Sequence, residues 1–226
     1  MIKSTLAVLF LCLNVPVFGQ NASPLFSLVA PEKSGITFNN ALKDNKTENI
    51  LLYSNFYGGA GVGVGDFNQD GLEDIFFAGN QVSDQLYFNK GDFRFENVTS
   101  SSGIIQDNGW STGVAVADIN ADGLLDIYVT RELFDHKPDL RTNLLYINKG
   151  NGRFKEMGAQ YGLADDSRTR HASFLDYDKD GLLDLFLLTQ PPNPGSYSSF
   201  FGTELLQKQY HLKLYRNTGN QKFVEV

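Results

Sequence analysis

Three stretches of this chain carry carboxylates at a spacing suited to holding a hard cation: Asp66 to Asp74 (DFNQDGLED), Asp118 to Asp126 (DINADGLLD) and Asp176 to Asp184 (DYDKDGLLD). Each places acid or carboxamide side chains at positions 1, 3, 5 and 9, with Gly at position 6 and Leu at position 7. Calcium takes six to eight oxygens in a flexible shell and accepts Asp, Asn and carbonyl ligands together. The predicted ligands are therefore Asp66, Asn68, Asp70, Leu72 and Asp74; Asp118, Asn120, Asp122, Leu124 and Asp126; and Asp176, Asp178, Asp180, Leu182 and Asp184. The leucines are expected to offer their carbonyls and to turn their side chains inward. The Gly permits a sharp turn through backbone angles other residues avoid.

The same letters also spell ordinary hairpin turns, which favour Asp, Asn and Gly. A turn needs one or two such residues, whereas each loop here places several acids close enough to repel one another unless a cation intervenes. A helical EF-hand is excluded, because position 12 holds Phe77, Val129 and Leu187 instead of a Glu. The flanks are short runs of Val, Ile, Leu, Phe and Tyr, so the loops are expected to join strands and to tie the first strand of each unit to the second. Up to three Ca²⁺ ions are expected.

The elements around the loops repeat as well. Motif starts lie 52 and 58 residues apart, and each loop is followed by Leu86-Tyr87-Phe88-Asn89, Leu145-Tyr146-Ile147-Asn148 or Leu214-Tyr215-Arg216-Asn217. A short aromatic strand comes next, then a Gly-Ile or Gly-Leu pair at 103–104 and 162–163. Each repeat thus holds four candidate strands, for the middle copy Thr112 to Ala117, Asp126 to Arg131, Asn143 to Ile147 and Arg153 to Met157. A tight hairpin containing Asn-Lys-Gly is expected between the last two. Four-stranded antiparallel units recurring in this way point to propeller blades.

The predicted fold is all-β: a partial β-propeller of three four-stranded antiparallel blades. The Gly-rich strand at 58–65 is expected innermost, where backbones approach closely. Phe26 to Val29 followed by Gly35-Ile36 repeats the end of a blade and is read as one extra N-terminal outer strand. The divisions are a signal peptide at 1–19, a lead-in at 20–57 and blades at 58–104, 105–163 and 164–226. Closed propellers have four to eight blades, so the chain is read as a fragment of a larger, about seven-bladed ring, or as an open arc needing missing blades or a partner to cover its edge.

Lys3, the apolar run Leu6 to Leu13 and the residues up to Gly19 form a secretory signal, with cleavage before Gln20. The run is too short for a membrane span. Cys12, the single cysteine, lies inside it without small residues before it, so lipid attachment there is a minor alternative. The location expected is secreted, periplasmic or at the cell surface. A net charge of -7 is largely the charge of the loops, and no basic patch suggests nucleic acid.

The connections between the second and third strands lengthen from one copy to the next. In the longest, Tyr197, Phe200 and Phe201 form a candidate contact for a protein or glycan, or else cover a blade edge. Arg168, Arg170 and His171 are candidates to attract an anion or sugar acid. The three histidines lack zinc spacing, His136 reads as a surface side chain, and no nucleophile and base form a recognisable pair.

The three Asp-x-Asx-x-Asp-Gly-x-x-Asp loops, each preceded by a small-residue strand, resemble the FG-GAP or VCBS repeats of integrin-like propellers. Gly59 to Asn68 with Leu86 to Asn89 is similar to the front of secreted bacterial VCBS-repeat proteins that end in ASPIC/UnbV domains. The resemblance implies calcium-stabilised blades and a non-catalytic, extracytoplasmic adhesion or recognition role. The alternative is a propeller segment of a secreted polysaccharide-acting enzyme such as a lyase.

Overall fold

The computed structural model describes residues 25–133, 138–190 and 212–226. The signal segment with Cys12, His136, and Tyr197, Phe200 and Phe201 lie outside the described residues. Three antiparallel sheets of four strands succeed one another along the chain. The first contains β1 (Val62–Gly65), β2 (Asp74–Phe77), β3 (Gln85–Asn89) and β4 (Phe95–Asn97). The second contains β5 (Trp110–Ala117), β6 (Asp126–Glu132), β7 (Leu144–Asn148) and β8 (Phe154–Glu156). The third contains β9 (Arg168–Leu175), β10 (Asp184–Gln190), β11 (Lys213–Asn217) and β12 (Phe223–Glu225). In each, consecutive strands are neighbours, so every sheet is a meander.

The sheets stack as blades, with β1 against β5 and β5 against β9. Where these innermost strands come closest, glycine is required for a steric reason. A methyl group on Gly61 would lie 2.6 Å from the backbone nitrogen of Val114, and one on Gly113 would lie 2.8 Å from the carbonyl oxygen of Arg170. Side-chain alternation along each strand gives every blade two apolar faces. Phe67, Phe76, Ile127, Val129, Tyr146 and Phe154 fill the seam between the first and second blades. Tyr128, Leu145, Ile147, Leu185, Leu187 and Tyr215 fill the seam between the second and third. The expected blade architecture is present; strand bounds in the middle blade differ from the expected ones by one or two residues, and the Gly-rich stretch at 58–65 becomes a strand only from Val62.

Two details depart from expectation. The expected hairpin between third and fourth strands is present but is a five-residue loop (90–94, 149–153 and 218–222), longer than the tightest turns. Three successive residues in each have positive φ: Gly91, Asp92 and Phe93; Gly150, Asn151 and Gly152; Gly219, Asn220 and Gln221. The first backbone amide of each loop donates to the carbonyl of its last residue, as Lys90 does to Arg94 at 2.7 Å. Second, Phe26 to Val29 pairs with no strand among the described residues, and Leu28 is fully exposed. A strand acquires its ladder only from a neighbour, and the other strands of such a blade are not among the described residues.

The residues after Val29 are nevertheless placed as in the other repeats. Short helices α1 (Pro31–Ser34), α2 (Thr99–Ser102) and α3 (Gly158–Tyr161) each end at a left-handed Gly: Gly35, Gly103 and Gly162. These glycines sit against the backbone of Phe95, Phe154 and Phe223, the first residue of the next blade's fourth strand. The recurring Gly-Ile and Gly-Leu pairs thus mark a helical turn that locks one blade onto the next. Phe38 then stacks on Phe77 with ring centroids 4.9 Å apart, covering part of the first blade.

A polar clamp also recurs across the seams. Asp84 accepts hydrogen bonds from the Gly79 amide (2.8 Å) and the Ser111 hydroxyl (3.1 Å). In the next blade Asn143 accepts from the Arg131 amide (2.7 Å) and donates to the Thr169 hydroxyl (3.1 Å). Burial pushes the Asp84 carboxyl up to about 6, against the opposing pull of Arg131. A carboxyl raised by folding binds its proton more tightly in the native state, so its ionisation removes stability as pH rises from about 4 through 6. Asp84→Asn, which copies the second blade's solution, is expected to raise stability by about 1–3 kcal/mol at pH 8 and by little near pH 4. Urea denaturation at the two pH values measures the difference.

Candidate metal centre in the acid loops

The three loops share one hydrogen-bonded geometry. The position 1 carboxylate caps the turn: Asp66 accepts from the amides of Asp70 (3.1 Å) and Gly71 (2.8 Å). Asp118 and Asp176 do the same with Asp122 and Gly123, and with Asp180 and Gly181. The position 5 carboxylate accepts from the amide of Leu72, Leu124 or Leu182. Gly71, Gly123 and Gly181 have φ of 85°, 85° and 89°. Position 4 is left-handed too, at Gln69, Ala121 and Lys179, a requirement that no residue type there advertises.

Position 9 has a larger structural role than its place in the motif indicates. Asp74 accepts from the amide of Phe67 (3.0 Å) inside the loop and of Asn89 (2.8 Å) at the end of the third strand. Asp126 does so with Ile119 and Asn148, and Asp184 with Tyr177 and Asn217. The carboxylate therefore ties the loop to the third strand, where the sequence suggested a tie between first and second. The partner Asn returns the bond: its side-chain amide donates to the carbonyl of Glu73, Leu125 or Leu183. The sequence displayed this Asn in every Leu-Tyr-x-Asn element without indicating its role.

Positions 1, 3 and 5 stay on the solvent side, whereas Asp74, Asp126 and Asp184 are fully buried. Burial, with added repulsion from Asp70 and Asp66, pushes Asp74 up to about 6, and Asp126 rises to about 6 through burial and the repulsion of Asp122 and Asp118. A cation seated in the loop would oppose both effects. In the third loop, Asp176, Asp178 and Asp184 each offer an oxygen within 4.8 Å of the others, so this cluster could hold a divalent ion. In the first two loops Asn68 and Asn120 replace the third acid and donate to Asp70 and Asp122. The leucine side chains do not turn fully inward: Leu72 is exposed and Leu124 and Leu182 are half-buried.

The rim residues do not converge. Arg170 is held by Glu132 at 3.0 Å and by the Tyr53 hydroxyl at 2.8 Å. Tyr53 belongs to a cap of Phe56 and Trp110 that packs over the ends of the inner strands, an element the sequence did not announce. Arg168 is buried, and His171 is exposed on the uncovered face of the third blade, opposite Leu188.

Four-stranded meanders stacked about close-packed inner strands, each with an acid loop between its first two strands, define a segment of a β-propeller. The model of the FG-GAP-like repeat matches residues 44–129 and 136–187, more than half of the chain. The chain belongs to this FG-GAP-like repeat family. It is also similar to cartilage acidic protein 1 of Xenopus tropicalis, with 30% identity over 152 residues, covering 63% of this chain and 23% of that protein. The human protein of the same name is 31% identical over 133 residues, covering 59% of this chain and 19% of the relative. The chain thus spans about a fifth to a quarter of the length of these relatives. Among the described residues, no helix is long and apolar enough to cross a membrane.

Proposed function

We propose that this chain is a calcium-stabilised, non-catalytic recognition or adhesion module acting outside the cytoplasm on an extracellular protein or glycan. The observation that carries the reading is the threefold recurrence of one loop geometry, with a buried position 9 carboxylate beneath solvent-facing oxygens at positions 1, 3 and 5. The ligand set is the fifteen residues named from the sequence, with Ca²⁺ favoured by all-oxygen donors on a flexible loop. The apparent signal at residues 1–19 supports export, and integrin-like recognition is what the resemblance implies. The Arg170 pairing weighs against a lyase site on the opposite rim. Val62 and Val64 on the first blade, and Leu188 on the third, are exposed where the other blades shield the equivalent positions, which supports further blades or a partner at both ends.

Scanning calorimetry of the full chain with 2 mM Ca²⁺ and with EGTA tests the ion. Three sites saturated about a hundredfold above Kd contribute about 2.7 kcal/mol each, so Tm is expected to rise by about 10 °C or more. Identical melting in the two buffers, with no calcium retained on dialysis, would reject the reading.

A further inference from the structure

The two seams between blades differ at the rim that carries the acid loops. Between the first and second blades, Gln69 donates across the gap to the Gly123 carbonyl (3.3 Å), and Asn148 donates to the Phe67 carbonyl (2.8 Å). The Phe67 and Phe154 rings pack edge to face at 5.9 Å. Between the second and third blades the equivalent of Gln69 is Ala121, too short to cross, and Ile119 replaces Phe67. The seam is left with a cavity of about 380 Å³. That volume lies in the range of small-molecule sites.

The cavity wall has a distinct chemistry. The carboxamides of Asn120, Asn217, Asn220 and Gln221 line it, those of Asn120 and Asn217 already bonded in part to Asp122 and to Leu183 and Gly219, while Leu182 and Phe223 bring apolar surface. Among the described residues no Lys, Arg or His lines it, and Asp118 is the one charged group. Tyr161 also lines it, 1% exposed. The Asn120 carboxamide lies near its phenol oxygen, yet that oxygen completes no hydrogen bond of normal geometry among the described residues. A buried hydroxyl without a full partner costs about 1–3 kcal/mol, and the equivalent residue of the preceding repeat is the short Ser102.

We infer that this cavity is a binding site for a neutral polyhydroxylated ligand, a single uncharged sugar residue of a glycan. Mixed donor and acceptor amides match vicinal hydroxyls, the leucine and phenylalanine match a C–H face, and a lining without basic side chains disfavours acidic sugars. The inference rests on the recognition reading but not on bound calcium.

Saturation-transfer NMR on the full chain, with glucose, galactose, mannose and N-acetylglucosamine as separate probes and glucuronate as the charged comparison, tests it. A hexose has about twelve non-hydrogen atoms, so a Kd on the order of 1 mM is expected for the preferred sugar. Ala121→Gln restores the bridging residue of the other seam in the same left-handed position (φ 56° against 62° for Gln69) and is expected to weaken binding at least about tenfold. Tyr161→Phe is expected to weaken it about three- to tenfold while leaving the seam filled. No transfer to any neutral sugar, transfer unchanged in both variants, or equal transfer to glucuronate would overturn the proposal. Repeating the titration in EGTA separates it from the ion: identical melting with and without calcium alongside retained sugar binding rejects only the metal reading, and calcium-dependent melting without sugar binding rejects only this site.

Discussion

Asp126→Ala is expected to destabilise the protein by about 2–5 kcal/mol even with no calcium present, because two buried amides lose their acceptor at once. The carboxylate takes hydrogen bonds from Ile119 at 3.0 Å and Asn148 at 2.8 Å, and both amides are out of reach of solvent. Part of the loss is offset by removing a carboxyl that burial holds up at about 6. The offset depends on pH. Below about 4 the group is protonated in both folded and unfolded chains; as pH rises through 6 its ionisation weakens the native state, so in chelator the parent protein is expected to be more stable at pH 5 than at pH 8. Asp126→Ala flattens that contribution. Asp126→Asn keeps one acceptor but turns an N–H₂ toward the other amide, and is expected to fall between the two. Urea unfolding at pH 5 and pH 8 in EGTA resolves all three. A loss below about 0.5 kcal/mol for Asp126→Ala would mean the acid serves the ion alone.

The second large effect is expected at Gly113. A methyl group there would meet the Arg170 carbonyl oxygen at 2.8 Å and the Thr130 hydroxyl at 2.8 Å. The same point holds the bond from the Thr112 hydroxyl to the Thr169 carbonyl at 2.6 Å, which links β5 to β9. Gly113→Ala must separate the inner strands of two blades and is expected to cost about 2–4 kcal/mol, with Gly113→Val worse. Gly123→Ala makes the useful contrast. Nothing lies within 4 Å of its added methyl, so only the left-handed backbone, φ 85°, is strained. A cost of about 1–2 kcal/mol is expected there. A loss at Gly113 no larger than that at Gly123 would show that the blades can part to admit the methyl group at little cost.

The acid loops, the strand that precedes each and the Leu-Tyr-x-Asn element after it were legible because they repeat, and repetition fixes both blade count and phase. Nine-residue spacing was enough to select candidate oxygen ligands, and small residues before the loops were enough to place the inner strands. The hairpin after each Leu-Tyr-x-Asn element was legible, but its five-residue length was not, since positive φ at Asp92, Phe93 and Asn220 arises from the ladder on either side rather than from residue type. The role of Asp84 was hidden because a single Asp before a strand looks like any turn acid until the adjoining blade brings Ser111 to it. Arg170 read as a free cation for the same reason. Its partners, Tyr53 and Glu132, lie 117 and 38 residues away.

Sequence alone determined the repeated chemistry: three oxygen-rich loops, three meanders and the order in which they occur. Those features are local, set by spacing and alternation within a few tens of residues. Tertiary structure decided what lies between repeats. It gave the position 9 acids to the third strand and withdrew Arg170 from the rim. It also opened a cavity at the seam of the second and third blades, where Ala121 stands in place of the bridging Gln69, a choice that acquires meaning only when two blades face each other across a gap.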